Sequence, residues 1–255
     1  MPEAFIIDAV RTAGARKGGR LSGWHPADLA ASVLDALVAR TGIDPAAIDD
    51  VVMGCVGQAG EQSNNIGRNA VLASRLPESV PATSIDRQCG SSQQALHFAA
   101  QAVMAGSMDV VIAAGVESMT RVPMGLPVTL PFKHGFGSYM SRAMQARYPN
   151  VQFSQFAGAE MLAVKYELTK DELDDYALRS HQRASEATRG AYFAAEILPL
   201  PVRTTEGAAT NDTHATDEGI RFDATREGIG AVKLLHEGGR HTAATASQIC
   251  DGAAA

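Results

Sequence analysis

The stretch that decides the fold is ATSIDRQCGSSQQALHFAAQAVMAGSMDVVIAAG, residues 82–115. Ala82–Asp86 predicts a strand, and Gly90–Ala105 predicts a helix that Gly106 ends. Asp109–Gly115 is an apolar run rich in small and branched residues, and it predicts another strand. Strand, helix and strand in this order are joined by a right-handed crossover, which places both strands in one parallel sheet.

The same alternation extends back to the start of the chain. The remaining predicted elements of this half are a buried strand at Ala4–Val10, a helix at Pro26–Thr41 ended by Gly42, a strand at Asp50–Val56 and a helix at Asn64–Arg75. Uninterrupted apolar strands are typical of sheets that helices cover on both faces. The predicted fold class is therefore α/β, with a mostly parallel sheet between helices.

The pattern changes after Glu117. Arg121–Asn150 shows little periodicity, whereas residues 155–190 predict helix, with a capping box at Thr169-Lys-Asp-Glu172. Residues 194–217 have a loop-like composition, and residues 224–235 predict a short helix. Residues from about 117 to 240 thus indicate a mainly helical insertion in the α/β unit.

Composition excludes several classes of protein. Hydrophobic residues make up 45% and charged residues 20% of the 255 residues, which is ordinary globular usage. The net charge of −6 offers no basic surface for nucleic acid or for an anionic membrane. Neither a signal peptide nor an apolar run of about 20 residues is evident, so no membrane span is expected.

Three cysteines are spread along the chain, at positions 55, 89 and 250. An odd, widely spaced set without a C-x-x-C pair argues against a disulfide framework and against a zinc site. No pair of histidines has metal-ligand spacing, so no metal is expected. The reducing cytoplasm is the expected location.

Cys89 is the candidate nucleophile. It follows a short strand and precedes a helix, at the sheet edge where open α/β folds bind ligands. The positive end of a helix stabilises a thiolate, and the N–H groups of such a turn could stabilise an oxyanion. The alternative is a small buried side chain at a helix start. A buried packing residue is the interpretation favoured for Cys55, and a structural role is favoured for Cys250.

Two other kinds of site have weak signals. Gly54-Cys-Val-Gly57-Gln-Ala-Gly60 lies between a strand and a helix, but its spacing differs from the G-x-G-x-x-G of dinucleotide-binding loops. A Rossmann-type nucleotide protein is therefore a minor alternative. No G-x-S-x-G motif is present, which disfavours a serine hydrolase.

Several motifs, taken together and in order, resemble the thiolase family of acetyl-CoA acyltransferases, with most likeness to its steroid and long-chain 3-ketoacyl-CoA branch. The matching stretches are AVRT at 9–12, VMG at 52–54, GEQSNNIGR at 60–68, DRQCGSSQQA at 86–95, GVESMTR at 115–121, FAAEILP at 193–199, Asp217-Glu218, and TAATASQICDGAAA at 242–255. The most specific is DRQCGSSQQA, which resembles the signature of the family's nucleophilic cysteine.

The resemblance implies an acyl transfer through an acyl-cysteine, in thiolysis of a 3-ketoacyl-CoA or in the reverse Claisen condensation. Cys89 would be the nucleophile and its N–H an oxyanion donor. Ser247 would contact the pantetheine, Arg221 the nucleotide end, and Ala243 would also contact CoA. CoA and acyl-CoA would be substrates, without a permanently bound cofactor, and the protein would be a homodimer or homotetramer.

The resemblance also implies three segments: an α/β domain at 1–117, an inserted CoA-binding loop domain at 118–240, and a return to the first domain at 241–255. TAATAS at 242–247 departs from the family's T-A-G-N-A-S, which affects the expected CoA contacts. The N-E-A-F and G-G-H-P motifs of the family's second half do not occur, and the resemblance assigns no residue of this chain to the second-half cysteine of the family's C-x-G motif.

The chain as written is therefore expected to be incomplete or inactive, with its sheet left open because a fifth strand would only begin near Ala255. The alternative is a non-catalytic module that binds acyl-CoA or an oligomer partner.

Overall fold

The computed structural model describes residues 3–151 and 153–255. Its strands are β1 Arg11–Thr12, β2 Ala15–Arg16, β3 Asp50–Gly54, β4 Ala82–Ile85, β5 Val111–Ser118, β6 Ile197–Leu198, β7 Leu200–Arg203, β8 Ala209–His214 and β9 Cys250–Ala254. Its α-helices are α1 Pro26–Thr41, α2 Ile66–Ala73, α3 Ser91–Met104, α4 Leu126–Lys133, α5 Arg142–Arg147, α6 Gln155–Lys165, α7 Lys170–Arg189 and α8 Arg226–Gly230.

The chain divides into two compact units. The sheet unit contains the residues up to Lys133 together with Ala194–Gly219 and Ile249–Ala255. The helical unit contains His134–Phe193 and Ile220–Gln248. The family-based boundaries after residues 117 and 240 stay a prediction.

One sheet organises the sheet unit. Its strand order is β4-β3-β5-β9-β1-β6, and β2 pairs with β9 beside this path. β3 is parallel to both β4 and β5, and β1 is parallel to β6, whereas β9 is antiparallel to its neighbours. The predicted α/β class with a mostly parallel sheet is confirmed.

The first helix matches its prediction residue for residue because both of its ends carry strong signals. The His25 side chain accepts a hydrogen bond from the Ala27 N–H, and Pro26 fills the first position. Gly42 ends the helix with φ of 67°, a left-handed conformation that glycine adopts without strain. The Leu29 and Val33 side chains are fully buried in the core of the sheet unit.

The prediction of a buried strand at Ala4–Val10 is wrong. Phe5, Ile6 and Ile7 are 72–79% exposed, and the strand β1 begins only at Arg11. Val10 and Ala255 exchange two backbone hydrogen bonds of 2.9 Å, and β9 runs antiparallel to β1. An apolar run forms a strand only where a neighbour accepts and donates its backbone hydrogen bonds.

The loop-like interpretation of residues 194–217 is also wrong. β6 joins the main sheet, and β7 and β8 form an antiparallel pair of their own. The indole N–H of Trp24 donates to the Pro201 carbonyl over 2.9 Å, and the Arg203 guanidinium stacks 3.5 Å from the Trp24 ring centre. These contacts hold β7, and its partner β8 has the polar sequence ATNDTH, which shows no apolar alternation.

The expectation that a further strand would begin only near Ala255 is corrected as well. Residues 250–254 form β9, in the middle of the sheet, where Val116 pairs with Ala253 and Glu117 with Gly252. Glycine and alanine have low strand propensity, and tertiary pairing decides the structure here.

The helical unit contains the predicted long helices. α7 begins with the predicted capping box, in which Thr169 and Glu172 each accept from the other's backbone N–H, and Gly190 ends it. Asp174 of α7 is fully buried and pairs with Arg226 of α8 at 3.5 Å and with Lys170. Among the described residues, no helix has the length and apolar character needed to cross a membrane.

Candidate active site

Cys89 lies in the short turn that connects β4 with α3. β4 ends at Ile85, which is in register with Gly54, the last residue of β3, and α3 begins at Ser91. Cys89 is exposed in this turn, at the carboxyl ends of two neighbouring parallel strands. This is the edge at which open α/β sheets bind ligands.

Side-chain hydrogen bonds fix the backbone of the turn. Gln88 has φ of 50°, a left-handed conformation that costs a non-glycine residue about 1 kcal/mol. The Gln88 N–H donates to Asp86 Oδ1 over 2.7 Å, and the Arg87 N–H donates to Ser91 Oγ over 2.9 Å. Ser91 is buried and donates its hydroxyl back to the Gln88 carbonyl over 2.6 Å. Cys89 therefore stands on a turn whose conformation is determined on both sides.

The start of α3 gives this turn its electrostatic character. Gly90 is the N-cap residue, and no side chain caps the helix there. The N–H groups of Gly90 and Ser91 donate to the carbonyls of Arg87 and Gln88, so these two amides are satisfied inside the turn. Cys89 directly precedes the N-cap residue, so its side chain lies near the positive end of the α3 dipole, which favours negative charge.

The other two cysteines differ from Cys89 in their surroundings. Cys55 is buried in the core, and burial, followed by the charge of Glu117, raises the pKa of its thiol to about 12. Cys250 is an exposed residue at the start of β9, yet burial of its thiol, followed by the charge of Asp251, raises its pKa. Both thiols are held in the protonated, weakly nucleophilic form.

A buried polar network at the same sheet edge was missed by the sequence analysis. Glu117 accepts from the Val56 N–H over 2.8 Å and from the Gly57 N–H over 3.1 Å. The fully buried Gln62 donates to Glu117 Oε1 over 2.7 Å and accepts from the Ser118 N–H over 2.7 Å. In the sequence, Gln62 is the third residue of the GEQSNN stretch, and nothing in that local pattern indicates that its side chain is buried.

This network also explains the glycine-rich loop that invited comparison with a dinucleotide site. A Cβ on Gly57 would lie 2.8 Å from Glu117 Oε1 and 3.0 Å from Gln62 Nε2. The Glu117 carboxylate thus fills the space next to Gly57 that a bound phosphate would need. No group of three or more potential metal ligands occurs in residues 3–151 and 153–255.

Arg221, one of the predicted CoA contacts, lines a cavity of about 570 Å³ in the helical unit. Arg189 and Tyr192 also line it, and the Arg189 guanidinium lies 5.7 Å from the ring centre of Phe222. The backbone N–H of Arg221 donates to His181 Nδ1 over 3.2 Å. Burial, followed by the charge of Arg221, lowers the pKa of His181. Two arginines that share a cavity lining with Tyr192 and Phe222 suit a ligand that has both phosphate groups and a planar base.

Ala243 and Ser247 are exposed, in the helical unit, and neither is among the residues that line this cavity. Ala243 belongs to a turn in which the Thr242 N–H donates to Thr245 Oγ1 over 3.0 Å. The Ala244 N–H donates to Thr242 Oγ1 over 3.1 Å. The departure from the family's T-A-G-N-A-S therefore leaves a closed turn, which the Thr245 hydroxyl itself stabilises.

Comparisons with known proteins agree with this arrangement. A family model described as the thiolase N-terminal domain matches residues 4–255. The chain is 46% identical to the steroid 3-ketoacyl-CoA thiolase FadA6 of Mycobacterium tuberculosis and 39% identical to a beta-ketoadipyl-CoA thiolase of Escherichia coli. These matches span the whole chain but only 61% and 65% of the two relatives.

A solved structure supports the same assignment. The acetyl-CoA acetyltransferase of Bacillus anthracis superimposes with a TM-score of 0.85 at 32% sequence identity, over 100% of this chain and 64% of that one. The chain therefore belongs to the thiolase family.

Proposed function

We propose that this chain supplies the acyl-carrying cysteine of a 3-ketoacyl-CoA thiolase. The observation that carries the proposal is Cys89, which is exposed on a fixed turn at the start of α3. Covalent catalysis of this kind divides a difficult carbon–carbon step into two easier ones.

In the first step, the Cys89 thiolate attacks the 3-keto carbon of the substrate. The bond between carbons 2 and 3 breaks, and its electron pair leaves on carbon 2, which takes up a proton to form acetyl-CoA. The acyl group remains on Cys89 as a thioester. The Cys89 N–H donates to the oxyanion of the tetrahedral intermediate, at the positive end of α3.

In the second step, the thiolate of free CoA attacks the acyl-Cys89 carbonyl. The carbon–sulfur bond to Cys89 breaks, which releases acyl-CoA and restores the thiolate. Claisen condensation is the reverse sequence. The resemblance places the proton donors and acceptors in second-half motifs, of which N-E-A-F and G-G-H-P do not occur in these 255 residues, and no residue of this chain is assigned that role.

CoA recognition is proposed for the helical unit. Arg221 and Arg189 offer charged hydrogen bonds to the phosphates at the nucleotide end, and Phe222 and Tyr192 offer apolar contact to its base. Ser247 and Ala243 are proposed to contact the pantetheine arm. CoA is here a substrate and not a resident cofactor.

A bulky acyl group is proposed as the preferred substrate. The support is the GEQSNNIGR stretch at 60–68 and the 46% identity to a protein named as a steroid 3-ketoacyl-CoA thiolase. Comparing kcat/KM for acetoacetyl-CoA with that for a long or branched 3-ketoacyl-CoA tests this preference. A higher value for acetoacetyl-CoA would contradict it.

The nucleophile is tested by trapping the acyl-enzyme. The purified full-length protein is incubated with acetoacetyl-CoA, quenched in acid and analysed by peptide mass spectrometry. Acetylation is expected on the Cys89 peptide and is expected to disappear in Cys89→Ser, with Cys250→Ser as the matched control that retains it. An acetyl group that persists on another residue in Cys89→Ser would refute the assignment.

The same samples distinguish the alternative of a non-catalytic module. Binding of CoA by calorimetry without any acylation of Cys89 would favour that alternative. A homodimer or homotetramer in the cytoplasm is proposed for the active protein, and light scattering of the full-length protein tests the assembly.

A further inference from the structure

We propose that Gly54 and Gly115 are positioning residues for Cys89, because together they form the seat on which the first turn of α3 rests. The two glycines are register partners on the parallel strands β3 and β5. They therefore lie side by side in the sheet, directly under the start of α3, which follows Cys89 in the chain. The inference rests on the proposed nucleophilic role of Cys89.

Gly54 contacts the backbone of α3. A Cβ at this position would lie 2.4 Å from the Ser92 nitrogen and 2.5 Å from the Ser91 carbonyl carbon. Real side chains do not approach backbone atoms this closely, and a backbone atom cannot rotate away as a side chain can. Any larger residue at position 54 therefore lifts the helix start from the sheet.

Gly115 contacts the side chain of the same residue. A Cβ here would lie 2.6 Å from Ser92 Oγ and 2.8 Å from Ser92 Cβ. The nearest other atom is the Gly54 carbonyl oxygen, at 3.4 Å. The obstruction at position 115 thus comes from one small side chain, and removing that side chain should relieve it.

The consequence for Cys89 follows from the chain itself. Ser91 and Ser92 are two and three residues after Cys89, and Ser91 holds the Gln88–Cys89 turn through the hydroxyl bond to the Gln88 carbonyl. Lifting the first turn of α3 displaces this hydroxyl and the helix end together. Displacements of about 1 Å near a reacting group are enough to change rates strongly.

The test measures alkylation of Cys89 by iodoacetamide in the folded full-length protein, by peptide mass spectrometry. Gly115→Ala and Gly54→Ala are each expected to slow Cys89 alkylation by about tenfold. Gly67→Ala is the matched control, because a Cβ on Gly67 would lie 2.9 Å from Met53 Cβ and 3.0 Å from the Thr83 carbonyl oxygen, away from α3. This variant is expected to lose stability without slowing Cys89.

Rescue separates positioning from general destabilisation. The double variant Gly115→Ala/Ser92→Gly removes the side chain that the new methyl group meets, and it is expected to recover most of the alkylation rate. Failure of this rescue, or equal slowing in Gly67→Ala, would overturn the proposal. Gly54→Ala is the harsher change, and if it does not fold, Gly115→Ala and its rescue decide the outcome.

Acetyl transfer from acetoacetyl-CoA is measured on the same variants. If the unsubstituted protein forms no acetyl-Cys89 but the glycine variants still slow Cys89 alkylation, the proposed function is refuted and the positioning role of Gly54 and Gly115 is supported. If the unsubstituted protein is acetylated but the glycine variants change neither alkylation nor acetylation of Cys89, the positioning role of Gly54 and Gly115 is refuted and the proposed function is supported.

Discussion

The Gln62 side chain donates to Glu117 Oε1 over 2.7 Å while accepting from the Ser118 N–H over 2.7 Å. One buried amide thereby connects the loop after β3 with the end of β5. Replacing it leaves buried polar groups without a partner, and each such group costs about 1–3 kcal/mol.

Gln62→Leu is therefore expected to lower the free energy of unfolding by about 3 kcal/mol. Gln58→Leu is the control, because Gln58 is half-buried and donates a single bond, of 2.9 Å, to the Cys55 carbonyl. It should lose about 1 kcal/mol. Urea unfolding measures both variants, and equal losses would show that the network contributes no more than one ordinary hydrogen bond.

The three cysteines are expected to react with iodoacetamide at very different rates. Cys89 is exposed at a helix start and should react first, whereas the raised pKa of Cys250 should make it slower. Cys55 is buried, with a pKa of about 12, and should react only after unfolding. Time-resolved peptide mass spectrometry gives the order. Faster labelling of Cys55 or Cys250 than of Cys89 would contradict the assignment of the nucleophile.

CoA affinity should depend on Arg221. Arg221→Met removes a charged donor from the cavity of about 570 Å³ and is expected to weaken CoA binding by about tenfold, since hydrogen bonds to charged groups contribute about 1.5–3 kcal/mol. Arg179→Met is a matched control, because Arg179 lines a different cavity on α7. Calorimetric titration with CoA measures the affinity of both variants. Similar affinities would contradict the proposal that the nucleotide end of CoA binds in this cavity.

Two aspartates that pair with the same arginine should differ sharply in their effect on stability. Asp174 is fully buried, and Asp171 has 83% of its side chain exposed, although it lies closer to Arg226, at 2.8 Å rather than 3.5 Å. Asp174→Ala is expected to destabilise by about 3 kcal/mol, because it takes the buried carboxylate partner from the partly buried Lys170, while Arg226 keeps Asp171 and Asp175. Asp171→Ala should cost at most about 1 kcal/mol. Thermal unfolding of both variants, followed by circular dichroism, would contradict this argument if Asp171→Ala were the more damaging.

Stability should decline in mild acid because of His214. Burial lowers the pKa of this histidine, whose Nε2 lies 3.0 Å from the Ala13 carbonyl oxygen. As the pH falls below the unfolded value of about 6.5, the unfolded chain takes up a proton that the folded chain excludes. The free energy of unfolding therefore decreases, by at most about 1.4 kcal/mol per pH unit for one group.

His214→Gln keeps a donor for the Ala13 carbonyl and should flatten this dependence. Urea unfolding at about pH 7.5 and pH 5.5 measures the difference. His181, whose pKa is also lowered, retains a smaller dependence in that variant. A difference between the two pH values that His214→Gln leaves unchanged would assign the effect to other groups.

Local signals predicted the parts of the fold that local interactions determine. α1 matches at both ends because His25, Pro26 and Gly42 act within one turn of the chain. The structure of β9 and of residues 4–9, which form no strand, could not be predicted, because it depends on which strand lies beside them. Periodicity along the chain contains no information about that neighbour.

The candidate site divides in the same way. Cys89 could be located because a strand, a turn and a helix follow each other within residues 82–104. The pairing of Gln62 with Glu117 could not, because 55 residues separate the two and neither belongs to a local pattern. The seat made by Gly54 and Gly115 likewise requires the register of β3 with β5.

The position of β9 has a consequence for biosynthesis. β9 lies between β5 and β1 in the sheet, but residues 250–254 leave the ribosome after every other strand of that sheet. Until they emerge, β5 and β1 have open edges that can pair with other chains. The sheet therefore has a gap between β5 and β1 while residues 119–249 are synthesised, and this interval is when a chaperone would protect it best.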